Sequence, residues 1–262
     1  MPTLVTEQGI VHYETYGRGR PVILLHGWLG SWALWRDTIE ELGKYFRTYA
    51  LDFFGFGDSL DRSTDFSVSN YVEVVYQFMD RLGIVKAPLV GHSMGGSVSL
   101  GVAARYPEKV VKVIVVGAPV DGSSLNFFLK LSGYQTIAKL IFAMPIILRS
   151  FIWGLTHLAA KDGPGLHRMV SADVTKVSAD SFFQSIGTLR ETDLRNDLSD
   201  LTMPILGIYG RNDIIVHPNQ GKLLLKSAPT SYEERFENSG HFPMMDEPQR
   251  FLTTVNDFLH YG

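Results

Sequence analysis

Five short segments constrain this chain more than anything else in it. Pro21-Val22-Ile23-Leu24-Leu25, Arg47-Thr48-Tyr49-Ala50-Leu51, Ala87-Pro88-Leu89-Val90, Val110 to Val116 and Met203 to Gly210 read as strands buried on both faces, with apolar runs in place of alternation. Each runs into a turn-forming or glycine-containing cluster, such as His26-Gly27-Trp28-Leu29-Gly30 or Ala118-Pro119. Helix-period stretches lie between the strands. Trp32, Trp35, Ile39 and Leu42 follow a capping Ser31, and Val72, Val75, Phe78, Met79 and Leu82 form the apolar face of a helix over 70–82. Strands that alternate with helices pair in parallel through crossovers, so the sheet is expected to be doubly wound, with a site at the carboxyl ends of its strands.

The flanks fit the same plan. Residues 3–17 alternate around Gly9 and suggest an edge hairpin. A short helix over 219–226, a strand over 231–236 and a final helix over 248–260 complete the pattern. Residues 120–200 break it. Phe127, Phe128, Leu131, Tyr134, Ile137, Leu140, Ile141 and Met144 recur at helical spacings, and roughly 80 residues is far more than a crossover needs. The expected division is a core of residues 1–119 and 201–262, with a helical cap, or lid, over 120–200.

Composition removes several classes of function. The 262 residues carry a net charge of −3 and no long basic run, which argues against nucleic acid or an anionic membrane as the main partner. There is no cysteine, so disulfides, thiolate metal sites and cysteine nucleophiles are excluded. The N-terminus lacks the pattern of a signal peptide, and Leu140 to Ala160 is broken as a span by Pro145, Arg149 and Gly154. A cytoplasmic protein with no integral membrane segment is expected. The histidines lack partners at metal-ligand spacing, and no G-x-G-x-x-G follows a strand. No cofactor and no metal are expected.

The chemistry points to Val90-Gly91-His92-Ser93-Met94-Gly95-Gly96, which lies between the third strand and a small-residue segment, Ser97 to Ala104. Strand, sharp turn and helix with serine at the turn describe a nucleophile elbow. Glycines at 91 and 95 let strand and helix approach closely, and the Met94 N–H at the helix start points toward developing negative charge.

Four motifs now stand in order: His26-Gly27-Trp28, Gly91-His92-Ser93-Met94-Gly95, Gly210-Arg211-Asn212-Asp213 and Gly240-His241-Phe242. With these the chain resembles the α/β-hydrolase superfamily, of the serine esterase type with a lid, over nearly its whole length. The segment Asp52-Phe53-Phe54-Gly55-Phe56-Gly57-Asp58-Ser59 resembles that family's loop after its fourth strand, and Asp52 and Ser59 are expected to order it. The resemblance implies a mainly parallel sheet of about eight strands, with the cap inserted before the last strands.

A serine hydroxyl needs an imidazole to take its proton, and the imidazole needs a carboxylate to fix its tautomer. The resemblance implies Ser93 as nucleophile, His241 as base and then acid, Asp213 as the orienting carboxylate, and the backbone N–H groups of Trp28 and Met94 as the oxyanion hole. Asp121 is the alternative acid and His217 the rival histidine, while His26 and His92 read as structural. The Trp28 indole either lines a pocket or anchors the following helix.

The expected activity is carboxylesterase cleavage of short- to medium-chain esters, with a small-molecule ester as partner. A carbon–carbon bond hydrolase of the same fold would need a charged pocket in the cap, for which Arg168 and Arg190 are candidates. A cofactor-free perhydrolase is disfavoured by Leu29, where proline often stands. A non-enzymatic ligand receptor with a retained triad is the reading from outside enzymology.

Overall fold

The computed structural model describes residues 2–62 and 65–261. Its strands are β1 (Thr3–Val5), β2 (Gly9–Gly17), β3 (Pro21–Leu25), β4 (Arg47–Leu51), β5 (Leu60–Asp61), β6 (Ala87–His92), β7 (Val110–Val116), β8 (Ile205–Gly210) and β9 (Ser231–Phe236). Eight of them form one sheet in the order β1-β2-β4-β3-β6-β7-β8-β9, and the two-residue β5 pairs with β2. β1, β2 and β4 are joined antiparallel, and every pairing from β4 through to β9 is parallel. The expected α/β-hydrolase sheet is present. Its order reverses at β3: the chain goes to β4 on one side and returns to β6 on the other. The carboxyl ends of β3 and β6 therefore flank a topological switch point, where an open parallel sheet leaves a crevice.

The apolar runs follow from burial on both faces. Side chains alternate across a strand. Ile23 and Leu25 of β3 face one core, with Leu89, Val113 and Val115. Val22 and Leu24 face the other, with Val90, Ile114 and Val116. The first core is closed by α2 (Val68–Arg81) and α3 (Met94–Arg105), through Val72, Val75, Phe78, Met79, Val98 and Val102. The second is closed by α1 (Arg36–Leu42) and the C-terminal helix Pro248–Tyr261, through Ile39, Leu42, Phe251, Val255 and Leu259. Helix α2 starts two residues earlier than its apolar face predicts, because the Ser67 hydroxyl accepts from the Asn70 N–H and caps it.

Between β7 and β8 the chain forms α4 (Phe127–Ser132), α5 (Gln135–Ala143), α6 (Pro145–Ala159), α7 (Gly163–Asp173) and α8 (Ala179–Glu191). α9 (Gln220–Ser227), α10 (Pro243–Asp246) and α11 (Pro248–Tyr261) follow β8. Among the described residues, no single helix is long and apolar enough to cross a membrane.

The loop after β4 hangs on Asp52, which is fully buried. Its carboxylate accepts from the Trp32 N–H at 2.6 Å, the Asp58 N–H at 2.9 Å and His12 Nδ1 at 2.7 Å. Ser59 donates to the Asp52 carbonyl and accepts from the His12 N–H. Asp52 and Ser59 thus order their loop, as expected. The role of His12 is not visible in the sequence, because its partner lies forty positions away, in the loop after another strand.

The hydrogen bond to Asp52 raises the His12 pKa against the opposing effect of burial, and the charges of Asp52, Asp58 and Glu14 add to it. A raised histidine contributes stability that is complete below the unfolded value, about 6.5, and is lost as pH rises through the higher folded value. Replacing His12 by Phe should therefore cost more stability at about pH 5.5 than at about pH 8.5. Urea unfolding of both proteins at the two pH values measures it.

Candidate active site

Ser93 sits between β6 and α3 with φ 51° and ψ −119°, a conformation that an L-residue holds at a cost of about 1–3 kcal/mol. The turn is clamped from both sides. The Ser93 N–H donates to the Val116 carbonyl on β7 at 2.8 Å, and the Ser93 carbonyl accepts from Gly96 and Ser97. Two glycines make the close approach possible. A Cβ on Gly91 would lie 2.2 Å from the Gly95 carbonyl oxygen, and a Cβ on Gly95 would lie 2.3 Å from the Leu25 carbonyl oxygen. The start of α3 is therefore pressed against the carboxyl end of β3, and the loop His26–Gly30 lies beside the elbow.

That loop is held by His26. Its Nδ1–H donates to the Gly27 carbonyl at 2.7 Å, and its Nε2 accepts from the Phe53 N–H at 2.9 Å. The second bond requires the neutral ring, and burial lowers its pKa. Leu29 in the same loop has φ 58°. Among the described residues, neither the Trp28 N–H nor the Met94 N–H donates a hydrogen bond. Two free amides beside the elbow suit an oxyanion hole, and Met94 adds the positive end of α3.

His241 follows β9 in the loop before α10 and is 3% exposed. Its Nδ1 lies 2.7 Å from Asp213 Oδ2. Asp213 Oδ1 accepts from the Ile215 and Val216 N–H groups at 2.8 and 3.0 Å, which fixes the carboxylate after β8. The His241 backbone is pinned as well. Its N–H donates to the Ala159 carbonyl on α6, and its carbonyl accepts from His92 Nε2 at 2.9 Å. His92 is neutral: burial and the neighbouring His241 push its pKa well down. The structural reading of His26 and His92 thus has a mechanism. Each braces a backbone segment of the site.

The rivals lie elsewhere. Asp121 spends its carboxylate on the N–H and hydroxyl of Ser123. His217 is exposed, and its Nδ1 accepts from the Asn219 N–H.

Ser93 and His241 line one cavity. Among the described residues Ser93 Oγ makes no hydrogen bond; such contacts often tighten only when substrate binds. Apart from His92 and Thr156, the rest of the wall is apolar. Trp28 and Leu29 come from the β3 loop, Leu129 from α4, Leu155 and Ala159 from α6, Leu166 and Val170 from α7, and Ile186 and Leu189 from α8. No Lys, Arg, Asp or Glu lines it. Arg168 is exposed, and Arg190 pairs with Glu191 at 2.7 Å and lies over the Tyr134 ring. The Trp28 indole does line the cavity, and it donates from Nε1 to the Phe182 carbonyl of α8. The lining residues from α4 to α8 could not be sorted in the sequence, because each helix carries apolar residues on more than one face.

A family model described as alpha/beta hydrolase fold matches residues 20–164. A pimeloyl-acyl-carrier-protein methyl ester esterase of Vibrio campbellii is 28% identical, over 95% of this chain and 98% of its own. An esterase from Exiguobacterium antarcticum superposes with a TM-score of 0.82 at 22% identity, covering 96% of each chain, a likeness of fold alone. A meta-cleavage product hydrolase from Pseudomonas fluorescens superposes at 0.81 with 26% identity, covering 99% of this chain and 97% of its own.

Two substitutions test the elbow geometry. Gly95→Ala should cost roughly 1–3 kcal/mol, because its methyl meets the Leu25 carbonyl, which cannot step aside. Ser93→Gly should instead gain about 1 kcal/mol, since it relieves the strained φ. Urea midpoints of the two variants, moving in opposite directions, are the readout.

Proposed function

This chain belongs to the α/β-hydrolase fold family, and from that premise we propose that it is a serine hydrolase that cleaves short- to medium-chain carboxylic esters through an acyl-enzyme. The observation that carries the proposal is the pairing of the doubly anchored Asp213 with His241 Nδ1, in a histidine that lines the same cavity as the strained Ser93.

In the proposed reaction, Ser93 Oγ attacks the ester carbonyl carbon while His241 Nε2 takes its proton. Asp213 keeps the imidazole in the Nδ1–H tautomer and stabilises its cation. The carbonyl oxygen becomes an oxyanion between the Met94 and Trp28 N–H groups, where loss of one donor typically costs about 2.7–4 kcal/mol. The tetrahedral intermediate collapses, and the C–O bond to the alcohol breaks as His241 returns the proton to the leaving oxygen. Water then attacks the acyl-enzyme by the same steps in reverse.

In this reading residues 120–200 act as the lid: α4, α6, α7 and α8 supply most of the apolar wall over Ser93. An uncharged wall suits an uncharged acyl group. It weighs against a carbon–carbon bond hydrolase, whose substrate carboxylate would want a cation there. Leu29 at φ 58° weighs against the perhydrolase loop, since proline cannot adopt a positive φ. The esterase named among the relatives also acts on a carboxylic ester.

Steady-state hydrolysis of p-nitrophenyl acetate, butyrate, octanoate and palmitate tests the substrate class. kcat/KM is expected to peak at butyrate to octanoate and to fall at least about tenfold at palmitate, one chain-length step being worth only a few kcal/mol at most. Multiple turnover of any of these esters separates an enzyme from a receptor. Asp213→Asn should lower kcat by about 10⁴-fold, the cost of the wrong tautomer. Asp121→Asn should leave it unchanged; the reverse result would exchange the two aspartates' roles.

A further inference from the structure

Nine of the nineteen exposed large apolar side chains among the described residues fall between positions 127 and 158. Their densest point is the corner between α5 and α6, where the helix axes bend by 107°. Five consecutive residues there are exposed: Ala143, Met144, Pro145, Ile146 and Ile147. Ile146 is 79% exposed, and Leu140, one turn back on α5, is 58%. A run of this kind is rare on a protein that meets only water.

The charges around the corner are ordered too. Nine apolar residues, Leu140 to Leu148, are bracketed by Lys139 and Arg149, and both cations are exposed. From Gly122 to Lys161 the chain has four cations, Lys130, Lys139, Arg149 and Lys161, and no acidic residue, although the whole protein is net negative. Among the described residues none of the four is in an ion pair. Ile146, Arg149, Ser150 and Trp153 follow one another at helical spacing along the exposed side of α6. Trp153 is 58% exposed and lies about 10 Å along the helix from Ile146.

An apolar tip, a collar of unpaired cations and a tryptophan one or two turns behind the tip match the layers of a membrane interface. Apolar side chains suit the acyl boundary, long cationic side chains reach back to anionic headgroups, and indole rings favour the headgroup level. We propose that the α5–α6 corner is a peripheral docking site for an anionic phospholipid surface, with Met144, Ile146 and Ile147 inserted and Lys139 and Arg149 on the headgroups. A bend of 107° between two short helices suits a shallow corner at the interface and not a straight span. The proposal departs from the expectation drawn from whole-chain charge, because the local charge is opposite in sign to the global one. The inference does not depend on the esterase reading, because membrane binding is measured without turnover.

Flotation of the full chain with phosphatidylcholine vesicles, with and without phosphatidylglycerol, tests it. Binding is expected to the anionic vesicles at low salt, and to weaken as salt is raised. Ile146→Glu should reduce the bound fraction at least about tenfold, and Lys139→Glu with Arg149→Glu should do the same by the other half of the site. Ile146 lies outside the Ser93 cavity, so Ile146→Glu should leave the thermal midpoint and p-nitrophenyl acetate hydrolysis unchanged. No binding to anionic vesicles, or binding indifferent to Ile146→Glu, overturns the proposal. A dimer that Ile146→Glu dissociates, without vesicle binding, assigns the corner to a second copy and overturns it equally. So does binding of an acidic protein that needs the two cations but not Ile146, again without vesicle binding.

Discussion

The site depends on one close approach: the backbone of Gly95 at the start of α3 against the carbonyl of Leu25 at the end of β3. The two neighbouring strands at the switch point, β3 and β6, carry the two halves of the proposed oxyanion hole on their carboxyl ends. Only a residue without Cβ lets those halves meet. Ser93 then has to turn sharply from strand to helix, and the strain in its φ is the cost of presenting its hydroxyl to the cavity. The clamp from Val116 on β7 holds the turn while α3 leaves the sheet.

The remaining parts are braced by histidines that do not themselves react. His26 ties the β3 loop to Phe53, and His92 ties the elbow to the His241 carbonyl. Both are buried and kept neutral, so neither competes with His241 for a proton. His241 is also bound through its N–H to Ala159 on α6. His241 is thus positioned jointly by the sheet loops and by the helical insertion, and a displacement of α6 would be felt at the imidazole as well as in the cavity wall.

Much of this was legible in the sequence, for definable reasons. Strands buried on both faces read as unbroken apolar runs, and each of the five predicted core strands lies where expected. The motifs around Ser93, Asp213 and His241 are local, so their order could be read without contacts. Long-range pairings could not. His12 gives no sign that it meets Asp52, and Leu29 none that it adopts a positive φ. The insertion was legible as helical but not as a wall and a surface. Leu155 and Ala159 face the cavity while Trp153 and Leu158, on the same helix, face outward, and only packing separates them.

If Ser93 is the nucleophile, it is the residue that covalent trapping marks. After treatment with a p-nitrophenyl phosphonate, intact mass and peptide mapping should find one phosphonyl group, on Ser93, and none on Ser93→Ala. Labelling at another residue, or unchanged ester turnover by Ser93→Ala, would contradict the account.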